Sequence, residues 1–439
     1  MTIDTALEEI GGRYILPAAP LAGAVRWRVL LYLGVLVMLI GFGSPSGGLI
    51  GLPLSFFLKN KLHLKAHEVA IFQLAAAAPL YFSFLFGFAR DRWSPLGMRD
   101  RGFMVVFGGA AAAVCLFFAF TPPSYGALLV AMVLLSTAFL FVVSAFRGLT
   151  STIGQQRVMS GQVSAVWNIF DSLPSIVAVL AGGLLSEGIE AVQPGQGART
   201  LFLTGAAMMA MIAVYGTWKP ASVFDNIHSE RLTSVKPLDD FKRLLAHRPI
   251  YPALLIGLLW AFLPGFGTSF QFFFQNTLHG RDAQWGQWGA IYAAGYIPTY
   301  ALYGVLCRRF ALGKLLWWGT IAALPMMFPL LMIHTVTGAL IAAAPMGLLG
   351  GVATAAYLDL LIRSCPTGLQ GTLLMAAAGL TAIDVRFGDV LGTSLYDHFG
   401  GFSVCVIAMT ITNILILPVL LFVPRTLTDT TDGQPPARG

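Results

Sequence analysis

The sequence predicts an all-α polytopic membrane protein, with twelve transmembrane helices in two pseudo-symmetric six-helix bundles. Three observations carry that expectation. Of the 439 residues, 56% are hydrophobic and 11% charged, where an ordinary globular domain is about half apolar and a quarter charged; the mean hydropathy is +0.75. Apolar runs close to the roughly 20 residues that a membrane-crossing helix requires recur twelve times along the chain. The basic residues gather between those runs, mostly on one side of the expected bilayer.

Residues 1–26 contain Asp4, Glu8, Glu9 and Arg13 but no apolar core with a small-residue cleavage site, so they read as a retained cytoplasmic tail and not a signal peptide. Arg26 and Arg28 then anchor span 1. The twelve spans fall near residues 27–54, 68–89, 102–120, 124–147, 161–186, 199–218, 249–276, 284–306, 314–333, 336–363, 371–396 and 401–424. Spans 1 to 6 form an N-terminal bundle over 27–218, and spans 7 to 12 a C-terminal bundle over 249–424. The polar stretch 219–248 is expected to be a cytoplasmic linker, and 425–439 a cytoplasmic tail. With residues 87–102 in the cytoplasm, 21 of the 27 lysines and arginines fall on that side, five on the other, and one, Arg386, inside a span. The expected location is the inner (plasma) membrane of the cell, multi-pass, with both termini cytoplasmic.

Residues 87–102 read GFARDRWSPLGMRDRG. Four arginines and two aspartates cannot enter hydrocarbon in so short a space, and Pro95 stops one helix from running through. In type and spacing, Gly87, Asp91, Arg92, Gly97, Arg99 and Arg101 resemble the loop between the second and third helices of the major facilitator superfamily; the plain alternative is a generic basic loop. The resemblance implies alternating access, with Gly87, Asp91, Arg92, Arg99 and Arg101 gating. That loop is expected to latch the cytoplasmic side through salt bridges broken on opening.

The halves resemble each other. Gly87 with Arg92 recurs as Gly304 with Arg309, and Gly161, Gly182 and Glu187 recur as Gly371, Gly392 and Asp397, which fits a duplicated six-helix unit. A narrower resemblance is to the folate-biopterin transporter family. It is carried by LPLSFFLKN over 52–60, Pro79, SCPTGLQGTL over 364–373, and Asn413, Pro418 and Pro424. The chain departs from that family at Tyr81 to Phe84, where members carry a lysine, and at Arg147, where they often carry an aspartate, which leaves the solute open.

A charge within the bilayer costs at least about 2.5 to 3.5 kcal/mol unless paired or hydrated. Span 11 carries Asp384, Arg386 and Asp389. Arg386 and Asp389 are three residues apart and are expected to neutralise each other, leaving Asp384 as a spare carboxylate. Asp384, Asp389 and Asp171 are the proton-coupling candidates; the alternative is a static ion-pair network locking span 11 to span 2. On span 5, Asn168, Asp171 and Ser175 share a stripe. Asp171 and Arg386 are expected to face a central cavity from opposite halves and to hold a solute, unless Asp171 merely caps a kink before Pro174.

Other binding candidates are Ser44 and Ser46, in a run of glycines and a proline at 41–48 that loosens span 1 either to line a cavity or to pack closely. Span 7 has a counterpart at 264–269, followed by Gln271 and Gln275. Gln73 of span 2 is expected to meet Arg386. Tyr292, Tyr296 and Tyr300 recur every four residues, with Tyr296 the candidate for stacking on a planar ligand and aromatic packing the alternative. Asp359 and Arg363 read as a local ion pair, and Arg147 as a helix end reaching for the interface.

The expected function is secondary active transport of a small organic solute by a monomer in the lipid bilayer, coupled to protons, with facilitated diffusion left open. No Walker motif, nucleophile elbow or zinc-ligand spacing occurs, and Cys115, Cys307, Cys365 and Cys405 are scattered. Neither an enzyme, a cofactor nor a metal is expected. The basic residues lie in loops and not on one helix face, which speaks against nucleic acid. The alternative is a membrane assembly or scaffold factor on the same fold, of the light-harvesting assembly type.

Overall fold

The computed structural model describes residues 21–64, 66–190, 192–224 and 237–434. Most of the expected N-terminal tail and the middle of the linker lie outside those residues. Within them every regular element is helical, and twelve spans cross the molecule. Span 1 is Gly23–Gly43 continued by Gly51–Asn60; span 2 is Ala66–Ala76, Ala78–Tyr81 and Ser83–Arg92; spans 3 to 6 are Asp100–Ala119, Tyr125–Gln156, Ser160–Glu190 and Pro194–Thr217. Span 7 is Ile250–Ala261 followed by Thr268–Phe272 and a wide turn at Phe273–Thr277. Spans 8 to 12 are Asp282–Leu306, Leu312–Ala323 with Leu324–Met332, Val336–Arg363, Gln370–His398, and Phe402–Ile414 with Ile416–Leu420.

The interruptions follow from the sequence. Between the two pieces of span 1, Pro45 lacks an N–H and the chain turns on Ser44, whose carbonyl takes the N–H of Gly48 at 2.9 Å and whose Oγ takes that of Gly47 at 3.3 Å. Span 7 opens at the corresponding place, around Pro264 and Gly265, as its sequence leads one to expect. Ser124 and Thr335 start spans 4 and 10 with the same cap, their hydroxyls accepting the N–H of Ala127 and of Gly338, which satisfies one of the unpaired donors of a first turn.

Spans 1, 3, 4, 6, 9, 10 and 12 each contain a helix long and apolar enough to cross a membrane. Spans 2 and 7 are broken into shorter pieces, and spans 5, 8 and 11 are long, at 31, 25 and 29 residues, but not among those seven. Polar side chains are tolerated in a span only where it borders protein or a hydrated gap, and of these five, spans 2, 5, 8 and 11 border the other half. One buried core joins residues of spans 1 to 6 with Ile362, and a second joins residues of spans 7 to 12 with Ala165. The two sets of spans meet chiefly along span 2 against span 11 and span 5 against span 8.

The connections after the even-numbered spans share one end, with a linker helix, Pro237–Ala246, and a last short helix, Arg425–Thr428. This is the basic end. One expectation needs correction. Span 4 runs to Gln156 rather than stopping at 147, so Arg147 is inside it and does not reach an interface. The segment after span 12 packs against the basic end as far as residue 434.

Candidate functional site

At the basic end, Gly87 lies so close to span 11 that a Cβ there would stand 2.3 Å from the carbonyl oxygen of Gly371. This proximity lets Asp91, one turn on, reach the first turn of span 11. Its carboxylate accepts the N–H of Gly371 at 3.1 Å and both the N–H and the hydroxyl of Thr372 at 2.7 Å. A helix N-terminus presents unpaired N–H groups and partial positive charge, so an acid there is stabilised. Arg90 bridges Asp91 at 2.8 Å and Asp100 at 2.5 Å. Close by, Ser83 donates to Met375 O at 2.6 Å, and Gln155 donates to the carbonyls of Ile362 and Cys365.

The loop was expected to latch this end through salt bridges, with Gly87, Asp91, Arg92, Arg99 and Arg101 gating. Across the two sets of spans, however, Gly87 and Asp91 act through close backbone packing and helix capping. Arg92 reaches the linker helix, pairing with Asp240 at 2.5 Å. Arg101 donates to the carbonyls of Gly216 and Thr217 and so closes the end of span 6. Arg99 is exposed, and its N–H is taken by Ser94 Oγ at 2.7 Å, which shapes the loop. Arg90, which is not among those five residues, is central.

In the middle of the molecule, Arg147 of span 4 lies where spans 4, 5 and 11 meet. Its guanidinium stands 5.3 Å from the ring centre of Trp167 and donates to Leu374 O at 3.2 Å, while its Nε is buried without a partner. Asp171, one turn along span 5 from Trp167, is exposed. Trp167 and Asp171 lie four residues apart on one face of span 5, so the Arg147 guanidinium over the Trp167 ring stands on the side of span 5 that carries Asp171, without a salt bridge between the two charges. Asn168, on the Asp171 stripe, gives its amide to Ser164 O at 2.8 Å, and Ser175 bonds Asp171 O, both along span 5 itself.

Span 11 differs from expectation. Asp389 does not pair with Arg386; it accepts the N–H of Thr268 at 2.8 Å and its hydroxyl at 2.7 Å, and so anchors the restart of span 7. The reason is the opening at 262–267, which leaves donors of span 7 unpaired beside span 11. Arg386 lies seven residues beyond Gly379, hence on the same face. Gly379 packs against Ser83 and Leu80 of span 2, whereas Arg386 is exposed. The Asp384 Oδ2 is buried without a partner.

Gln73 does not meet Arg386; its amide donates to Ser55 Oγ at 3.0 Å. Ser46 is exposed beside half-buried Ser44, and Gln271 and Gln275 are half-buried on the last pieces of span 7. Tyr296 shares a 2.6 Å hydroxyl contact with Tyr292 and stacks on Tyr300, with Gly350 of span 10 against its ring. Packing accounts for that stripe. Asp171 and Arg386 were expected to be the facing charges; the cation over the face of span 5 that carries Asp171 is Arg147, which was expected at a helix end.

The model of the family described as MFS/sugar transport protein matches residues 40–378. Comparison with curated proteins gave no match. Among solved structures, the chain is similar to the major facilitator superfamily transporter FucP in its outward conformation, with a TM-score of 0.67 at 15% identity over 90% of this chain and 99% of that one. It is also similar to a bacterial homologue of the iron transporter ferroportin in an outward-facing state, at 0.65, 15%, 90% and 99%, and to the human organic anion transporter MFSD10, at 0.57, 15%, 90% and 99%. The fold is therefore that of the superfamily, and the chain belongs to the MFS/sugar transport protein family of secondary transporters.

Proposed function

We propose that the chain moves a small organic solute across the inner membrane by alternating access, with proton coupling, and that the basic end faces the cytoplasm. The two buried cores support reading residues 27–218 and 249–424 as two bundles joined by 219–248. Closure at the basic end, with Arg386 and Asp171 both exposed, fits an outward-facing arrangement. Both outward-state relatives share its fold.

The observation that carries this reading is the Arg147–Asp171 pair. A cation held on an indole face and a carbonyl, with an exposed acid one turn along the same face and not in contact, leaves that acid able to take a proton or a solute hydroxyl. The fucose:proton symporter of E. coli is similar in fold and supports sugars as the first class to try; the folate-biopterin resemblance adds pterins, and the exposed Arg386 adds organic anions. The protein is proposed to work as a monomer, since the repeat is internal.

The experiment is a ligand-stabilisation screen of purified protein with these three classes, followed by proton uptake into proteoliposomes on adding the hit. Specific binding raises stability by RT ln(1 + [L]/Kd). A concentration-dependent midpoint shift that disappears in Asp171→Asn, with solute-driven alkalinisation outside, is the expected result. No shift for any class, with Asp171→Asn only altering stability, would turn the reading toward a scaffold.

A further inference from the structure

The two sets of spans close the basic end by unlike means. At span 11 the anchor is Asp91, four residues after Gly87 on span 2. The internal repeat sets Gly304 against Gly87, and Gly161 and Gln162 of span 5 against Gly371 and Thr372. Four residues after Gly304 stands Arg308, a cation, which cannot accept the N–H groups of a helix start.

The missing acid comes from the end of the chain. Asp432, beyond Arg425–Thr428, accepts the N–H of Gly161 at 3.2 Å and of Gln162 at 2.9 Å. Arg363 donates to it at 3.1 Å, as Arg90 does to Asp91. The surrounding backbone is tied to both sets of spans. Gly433 N–H donates to Val158 O at 2.7 Å, between spans 4 and 5, while Asp432 N–H donates to Cys307 O at 3.0 Å at the end of span 8. Leu312 N–H and Arg363 both donate to Thr430 O. The segment is thus a strap across the seam between the halves, and Asp432 is 7% exposed beneath it.

We propose that residues 429–434 are a second latch of the basic end, in which Asp432 takes at span 5 the part that Asp91 takes at span 11, and that the strap leaves its seat whenever this end opens. The opening itself rests on the transport reading above; the docking does not. A resting transporter that is closed at the basic end holds both latches, and each turnover breaks and remakes both.

Cys307 reports on the strap, since it is 1% exposed and its Sγ lies 3.6 Å from Asp432. In full-length protein with the other three cysteines replaced by alanine, Asp432→Lys puts a cation against Arg363 and the helix start. Maleimide labelling of Cys307 is expected to quicken by about tenfold or more, the order lost with a charge-assisted hydrogen bond, while a parallel protein keeping only Cys115, inside the core of spans 1 to 6, labels unchanged. Cys307 that stays protected in Asp432→Lys and in a chain ending at Pro424 would overturn the strap as its cover.

Should those variants not fold, Asp432→Cys in the otherwise native chain gives an internal test. Its backbone is hydrogen-bonded to Cys307, within the reach of a disulfide. The oxidised form is expected to stop solute exchange and a reductant to restore it. Exchange equally fast in both forms would show that the strap does not move during the cycle. Failure of the transport reading would instead appear as no exchange in either form, with labelling still deciding whether the strap docks.

Discussion

The carboxylate of Asp91 and the first turn of span 11 are joined at Thr372, whose N–H and hydroxyl both donate to one Asp91 oxygen at 2.7 Å. This joins span 2 of one half to span 11 of the other. A hydrogen bond to a charged group is worth about 1.5 to 3 kcal/mol. Asp91→Ala is therefore expected to shift the balance at the basic end toward opening by roughly ten- to a hundredfold, lowering solute exchange while leaving the ligand-induced midpoint shift in place. Thr372→Val, which removes only the hydroxyl, should fall between the two. Equal exchange by wild type and Asp91→Ala would reject the latch.

Gly87→Ala is expected to do more harm than Gly371→Ala. A Cβ on Gly87 meets backbone, the Gly371 carbonyl oxygen at 2.3 Å and its carbon at 2.6 Å. A Cβ on Gly371 meets side chains, Asp91 Oδ1 at 2.7 Å and Arg90 Cδ at 2.9 Å, and not backbone. Overpacking typically costs about 1 to 3 kcal/mol, and at Gly87 that cost falls on the closed state. The readout is exchange rate beside thermal midpoint, and the reverse order would count against the geometry.

The twelve spans and the breaks in spans 1 and 7 were legible because apolar length and proline placement are local properties. The span 2 to 3 loop was legible as a motif, but its partners were not. That Asp91 caps span 11 depends on Gly87 meeting Gly371, a contact between residues 284 positions apart in sequence. Arg147 was misplaced because an arginine after a long apolar run looks like a helix end, and only the packing of Trp167 beneath it shows otherwise. The supposed Arg386–Asp389 pair followed the three-residue rule for helices, which yields when a broken neighbour such as span 7 offers unpaired donors. Nothing in the local sequence of 425–434 marks Asp432 as a cap for a helix 271 positions earlier.

Arg147 and Asp171 are expected to behave as a unit. Arg147→Met leaves an uncompensated acid in the gap, and Asp171→Asn leaves a buried cation held only by Trp167 and Leu374 O. Each single change is expected to lower the thermal midpoint, and the double change by less than the sum. Because the two charges are not in direct contact, the interaction energy should lie near the low end of the usual range, about 0.5 to 1 kcal/mol. Strict additivity would mean that Asp171 answers to some other group. The same proteins give a functional readout: Asp171→Asn should abolish both the ligand-induced midpoint shift and solute-driven proton movement.

The docked strap is expected to depend on pH through Asp432. Burial and the nearby Asp359 push its carboxyl up to about 6, while Arg363 and the N–H groups of Gln162 and Gly161 pull the other way. Cys307 also faces it, and Arg26, Arg157 and Arg308 line the same shallow pocket. On a free strap the carboxyl would titrate near 3.9. Since its value is raised when docked, the docked form binds the proton more tightly, so docking is strongest below about 4, weakens as pH rises to about 6, and is flat above that. A nitroxide at the exposed Gln434 should show a larger immobile fraction at pH 5 than at pH 7. Asp432→Asn, neutral at both, should remain docked and lose the difference. A pH response that persists in Asp432→Asn would move it to another group on the basic end.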